Sequence, residues 1–168
     1  MSDVLFNIVI TGTVNLIFTL IAIRLVDRLG RKPLMLAGAA GLAAVFGLIG
    51  ASYALHSKGV HLLALVVVAM ALYALSLAPV TWVLLSEIFP NRIRGAAMSV
   101  STFSLWSACF VLTYTFPLLN KGLGPAGTFW IYAGISVLGL LFIKSRVRET
   151  KGKTLEEIER ELLGSRTS

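Results

Sequence analysis

Charge is what this sequence has least of. Asp, Glu, Lys and Arg make up 14% of its 168 residues, against 57% hydrophobic residues and a mean hydropathy of +0.85. A soluble domain of this size needs far more polar surface, so the composition points to a membrane protein. Cysteine occurs once, at Cys109, which excludes an intrachain disulfide framework and leaves the redox compartment unread. Histidine occurs only at His56 and His61, in one short segment between apolar runs, and no apolar run holds a carboxylate. A metal or acid–base site therefore has no candidates, a membrane enzyme is the weakest reading, and no cofactor is implied.

Long uncharged runs take the place of charge. There are five: Val4–Ile23 (20 residues), Pro33–Leu55 (23), Leu62–Leu85 (24), Ala96–Leu119 (24) and Gly122–Ile143 (22). At about 1.5 Å per residue each can cross a hydrocarbon layer about 30 Å thick. None alternates as a barrel strand would, and each exceeds the core of a signal peptide. The expected fold is all-α: a polytopic membrane helix bundle with five transmembrane helices over residues 1–147, followed by a cytoplasmic tail over 148–168.

The net charge of +7 invites a nucleic-acid reading, but its distribution argues against one. Thirteen of the 15 basic residues fall on one side of the five spans, and only Lys58 and Lys121 on the other. By the positive-inside rule the tail is cytoplasmic and the N-terminus outside, in a cell membrane with the lipid bilayer as solvent. Met1 then stands at the edge of a span without a cytoplasmic leader. The chain is expected to be the carboxyl-terminal part of something longer.

Within the spans a few residues carry more than packing. Asn7, Thr11, Asn15 and Thr19 recur every four residues, forming one polar stripe on a helix. Thr11 and Thr19 suit hydrogen bonds between helices, whereas an amide at mid-depth, Asn15, suits a wet pathway. In the second span Ala39, Ala43, Gly47 and Ala51 make a small-residue stripe for close helix packing, with Gly38, Gly41 and Gly50 beside it. Pro79 inside the third span predicts a kink or break, flanked by Tyr73 and Trp82. Trp106 lies too deep for an interfacial belt, and its flat face with one donor suits stacking on a sugar ring. Pro117 is expected to soften or end the fourth helix. Gly122-Leu123-Gly124-Pro125-Ala126-Gly127 matches GxGxxG, but no strand precedes it, so it is read as a turn between spans. Trp130 and Tyr132 read as an interfacial anchor. Thr154 and Glu157 form a capping box for a short amphipathic helix through Leu155, Ile158 and Leu162.

Three charged groups stand at the cytoplasmic helix ends. They are Asp27-Arg28-Leu29-Gly30-Arg31-Lys32-Pro33, then Glu87 with Arg94 seven residues on, then Arg148-Glu149-Thr150-Lys151-Gly152-Lys153. A plain positive-inside loop needs no acids, yet each group has one that can pair with a neighbouring group's Arg. Exposed pairs contribute only about 0–1 kcal/mol, so a network that forms in one conformation and opens in another explains them better.

The ordered set D-R-x-G-R-K, P-x-x-W-x-x-x-x-E-x-x-P-x-x-x-R-G and E-T-K-G-K-T resembles the sugar porter family of the major facilitator superfamily. The resemblance covers the eighth to twelfth helices of a twelve-helix transporter, leaving the amino-terminal half and the seventh helix without a counterpart here. It implies alternating-access transport of a monosaccharide-like sugar or polyol, with Asn15, Tyr73, Trp82 and Trp106 as sugar-binding positions. It also implies a conformational charge network of Asp27, Arg28, Arg31, Glu87, Arg94 and Glu149. The expected partners are a sugar and the missing transporter portion, whether in the same gene product or a separate chain, and the five helices are not expected to transport alone. Four positions depart from the family pattern: Ala78, Leu105, Cys109 and Arg148. A second reading is a non-transporting, truncated membrane protein that assembles with or regulates another transporter through its small-residue face.

Overall fold

In the computed structural model, residues 2–55, 59–89 and 91–152 are described. The helices are α1 (Ser2–Leu29), α2 (Arg31–Ala54), α3 (Val60–Leu75), α4 (Leu77–Ile88) and α5 (Arg94–Arg146). No strand occurs among the described residues. A helix satisfies its own backbone, which is what a chain this apolar requires inside lipid. Among the described residues, three stretches are long and apolar enough to cross a membrane: Arg31–Ala54, Val60–Ile88 and Arg94–Arg146.

The third stretch, 53 residues, is not straight. Gly124 breaks it at φ 73°, ψ 174°, just before Pro125. The Tyr132 hydroxyl donates to the Leu112 carbonyl at 3.2 Å, and the Phe116 and Tyr132 rings stack at 6.2 Å. Twenty residues of straight helix would separate those partners by about 30 Å, so α5 folds back on itself as two antiparallel arms. The expected six-residue turn thus shrinks to a single non-helical residue, because glycine takes the positive φ and proline restarts the helix. The helix also runs through Pro117 rather than ending there.

The third span divides as well, but at Ser76, three residues before Pro79. Proline has no N–H to offer the Leu75 carbonyl and its ring presses on that turn. The ladder resumes at once, with the Val80 N–H on the Ser76 carbonyl at 3.2 Å.

α2 lies at the centre of the bundle and packs most extensively against α5. Three glycines beside the small-residue stripe mark close approaches, and Ala39 within the stripe is buried. A Cβ at Gly38 would strike Ser76, one at Gly41 would meet Leu72 at 2.9 Å, and one at Gly50 would strike Trp130, whereas Gly47 faces open space. Trp130, read above as an interfacial anchor, therefore lies over α2. Two apolar clusters follow along the bundle. Leu42, Val45, Ile49 and Ala69 form one, and Val26, Leu34, Met35, Ala39, Val80, Leu84 and Ile143 form the other, beneath the charged end. Lipid tails are as apolar as these side chains, so packing and polar contacts must decide how the helices associate. The amphipathic tail helix expected at 154–162 lies outside the described residues.

Candidate functional site

The charged end is built around a turn one residue long. α1 ends at Leu29, Gly30 takes φ 96°, and α2 begins at Arg31. The first N–H groups of a helix have no internal partner, and Pro33 removes one of them. Two of the others find a partner more than a hundred residues away. The Glu149 carboxylate accepts the N–H of Arg31 at 2.9 Å and of Lys32 at 3.0 Å. It also accepts the N–H groups of Thr150 and Lys151 at 3.1 and 3.0 Å. A negative group there also complements the positive end of the helix dipole. Burial alone would raise the Glu149 pKa, but these four backbone donors outweigh it and hold the group below its ordinary value. Gly30 is doubly required: a Cβ would sit 2.8 Å from Glu149 Oε2, at a φ that side chains resist.

Arg31, the first residue of α2, reaches across to α4. Its Nη2 donates to Glu87 Oε1 at 2.7 Å, and its Nε lies 3.2 Å from both Glu87 oxygens. The Arg31 and Glu87 side chains are 14% and 24% exposed, so the pair is partly desolvated. Asp27 stands 3.8 Å from Arg31 Nη1 but is 71% exposed, which makes it the weaker partner. The buried Thr150 donates its hydroxyl to Glu87 Oε2, filling that carboxylate's remaining side.

Lysines close the other helix ends. Lys151 Nζ donates to the Arg28 carbonyl at the end of α1, and Lys32 Nζ to the Lys144 carbonyl near the end of α5, at 3.0 Å. Both place a cation where a helix dipole is negative. The segment Glu149-Thr150-Lys151 therefore touches α2, α4 and α1 in three successive residues.

Of the six network positions, Asp27, Arg31, Glu87 and Glu149 come together, with one difference from expectation. Glu149 takes the amides of α2 rather than an arginine fork. Arg28 joins through its backbone carbonyl, which accepts from Lys151 Nζ. Arg94 turns to the Phe89 carbonyl at 3.2 Å, and its Nη2 is buried with no hydrogen-bond partner among the described residues. A shallow apolar groove of about 410 Å³, lined by Phe89, Ile93, Ala96, Ala97, Val100 and Ser101, lies along the same stretch and contains none of the expected site residues. Lys32, Thr150 and Lys151 were not expected; the signal for the last two was adjacency to Glu149 in the tail motif.

The four expected sugar-binding positions all face outward. Asn15 is exposed, and Tyr73, Trp82 and Trp106 are 54%, 42% and 64% exposed. Asn15 Oδ1 lies 3.4 Å from the Thr19 hydroxyl, the one contact within the first-span stripe, whose Asn7 and Thr11 side chains are outside the described ones. No hydrogen bond or ring contact joins the four among the described residues. Cys109 is exposed. No group of three or more His, Cys, Asp or Glu that could hold a metal occurs among the described residues.

The family model for the sugar (and other) transporter matches residues 1–162, nearly the whole chain, in which these elements lie in order. The chain belongs to that family. It is therefore a piece of transporter architecture, not of an enzyme, and its apolar helices are membrane-spanning. The chain is similar to the D-xylose-proton symporter of Escherichia coli K12, with 42% identity over 161 residues, covering 92% of this chain and 33% of that protein. It is similar to the same extent to the glucose facilitated diffusion protein of Zymomonas mobilis, 42% identical over 154 residues, covering 88% of this chain and 33% of that protein. Among solved structures, the proton:xylose symporter XylE bound to 6-bromo-6-deoxy-D-glucose superposes with a TM-score of 0.85 at 40% identity, covering 96% of this chain and 35% of that one. The inward-open XylE of E. coli gives 0.83 at 43% identity, covering 90% and 34%. The chain thus spans about a third of the length of the relatives it matches.

Proposed function

We propose that this chain forms one side of a pathway that carries a monosaccharide-like sugar across a membrane by alternating access. The family match over residues 1–162 carries this reading. The printed activities of the similar proteins, xylose–proton symport and facilitated glucose diffusion, support a sugar as cargo and leave the coupling mode to be measured. Asn15, Tyr73, Trp82 and Trp106 bind the sugar. Their exposure supports this: an aromatic face and an amide directed away from the bundle can meet a ring that offers C–H faces and hydroxyls. Asp27, Arg28, Arg31, Glu87, Arg94 and Glu149 bias the conformational equilibrium, because contacts that exist in one arrangement only lower the free energy of that arrangement. The charged end is cytoplasmic, and the amino-terminal half and seventh helix of the family complete the site.

The test is a chimera in which this chain replaces the corresponding third of the E. coli D-xylose-proton symporter. Uptake of labelled xylose, arabinose and glucose is then measured in cells lacking their own porters. Transport is expected, with Trp82→Ala and Asn15→Ala raising KM while membrane insertion is unchanged. Unaltered kinetics in both variants would remove these residues from the pathway. A correctly inserted but inactive chimera would favour a chain that assembles with another transporter.

A further inference from the structure

The first arm of α5 lacks a ladder donor at Pro117 and ends seven residues later, at the non-helical Gly124. Pro117 has no N–H for the Thr113 carbonyl, and its ring crowds the turn below. In that same turn the Thr115 hydroxyl donates back to the Val111 carbonyl at 2.7 Å and lies 3.3 Å from the Leu112 carbonyl, an arrangement that bends helices. Three successive carbonyls, of residues 111–113, are thus lost to or shared by something other than the regular ladder. The Tyr132 hydroxyl, from the second arm, donates to the middle one at 3.2 Å, while its ring stacks on Phe116 within 10° of parallel. The rings of Phe46 and Tyr132 lie 6.3 Å apart, which ties Tyr132 to central α2.

We propose that residues 118–123 move as a lever on a hinge at Pro117, and that Tyr132 is the catch that holds the hinge in the arrangement seen here. The ring positions the turn and the hydroxyl secures it, so removing the hydroxyl alone frees the hinge without unpacking the helices. This device lies at the end of the bundle opposite the charge cluster. Its use as a gate at the outer end of the pathway rests on the transport reading above, whereas the hinge itself does not.

Hydrogen–deuterium exchange of the full chain in lipid nanodiscs tests it without any transport assay. Tyr132→Phe keeps the ring and removes the hydroxyl. Amides between Thr113 and Leu123 are expected to exchange about two- to tenfold faster, the factor that corresponds to one hydrogen bond of ordinary net strength, while those of α2 stay unchanged. Pro117→Ala is expected to cancel most of that increase. Unchanged exchange in Tyr132→Phe, a rise spread over the whole chain, or an increase that persists in the double variant would each overturn the proposal.

Discussion

Replacing Glu87 by Gln tests the charge cluster at its centre. The carboxylate takes a fork from Arg31, at 2.7 Å to Nη2 and 3.2 Å to Nε, and the Thr150 hydroxyl. Glutamine keeps one acceptor oxygen and nearly the same shape but no charge. A hydrogen bond to a charged partner contributes about 1.5–3 kcal/mol net and a neutral one about 0.5–1.5, so two weakened bonds amount to about 2 kcal/mol. That is below the roughly 3–5 kcal/mol for breaking a fully buried pair, as it should be with Arg31 and Glu87 14% and 24% exposed. For a chain of this length about 2 kcal/mol corresponds to a fall in Tm of about 4–8 °C. Asp27→Asn is the control. Its carboxylate also faces Arg31, but at 3.8 Å and 71% exposed, so its loss is expected near the lower end of about 0–1 kcal/mol. Thermal unfolding of both variants in detergent, followed by the tryptophan signal, gives the comparison. Equal shifts, or none for Glu87→Gln, would refute the ranking by burial and hydrogen bonding.

Acid weakens the clip formed by Glu149. A carboxylate whose folded pKa lies below its ordinary 4.5 contributes stability above the unfolded value and loses it as pH falls through the folded one. Wild type is therefore expected to melt above Glu149→Gln at pH 7, and the two curves to converge only below about pH 4.5; a constant gap at lower pH would contradict this. Gly30→Ala forces a side chain into φ 96°, ψ 163° and against Glu149, and about 1–3 kcal/mol of strain is expected. Because that also displaces the carboxylate, Gly30→Ala and Glu149→Gln should be less than additive in a double-mutant cycle, and strict additivity would separate them.

The sequence by itself determined the class of protein, because too little polar surface and five uncharged runs leave a membrane helix bundle as the consistent answer. It also located the charged groups, a turn within residues 122–127 and a break near Pro79, since glycine and proline act through local sterics that any reader of the chain can apply. Partners more than a hundred residues apart were beyond it. Periodicity did not say that Glu149 would cap α2 instead of meeting an arginine, that Arg94 would turn to Phe89, or which side chains Gly38, Gly41 and Gly50 would meet. Those outcomes depend on which helix faces which. In a bundle where every face is apolar, the hydrophobic pattern does not choose among neighbours, and steric fit and a few polar partners do.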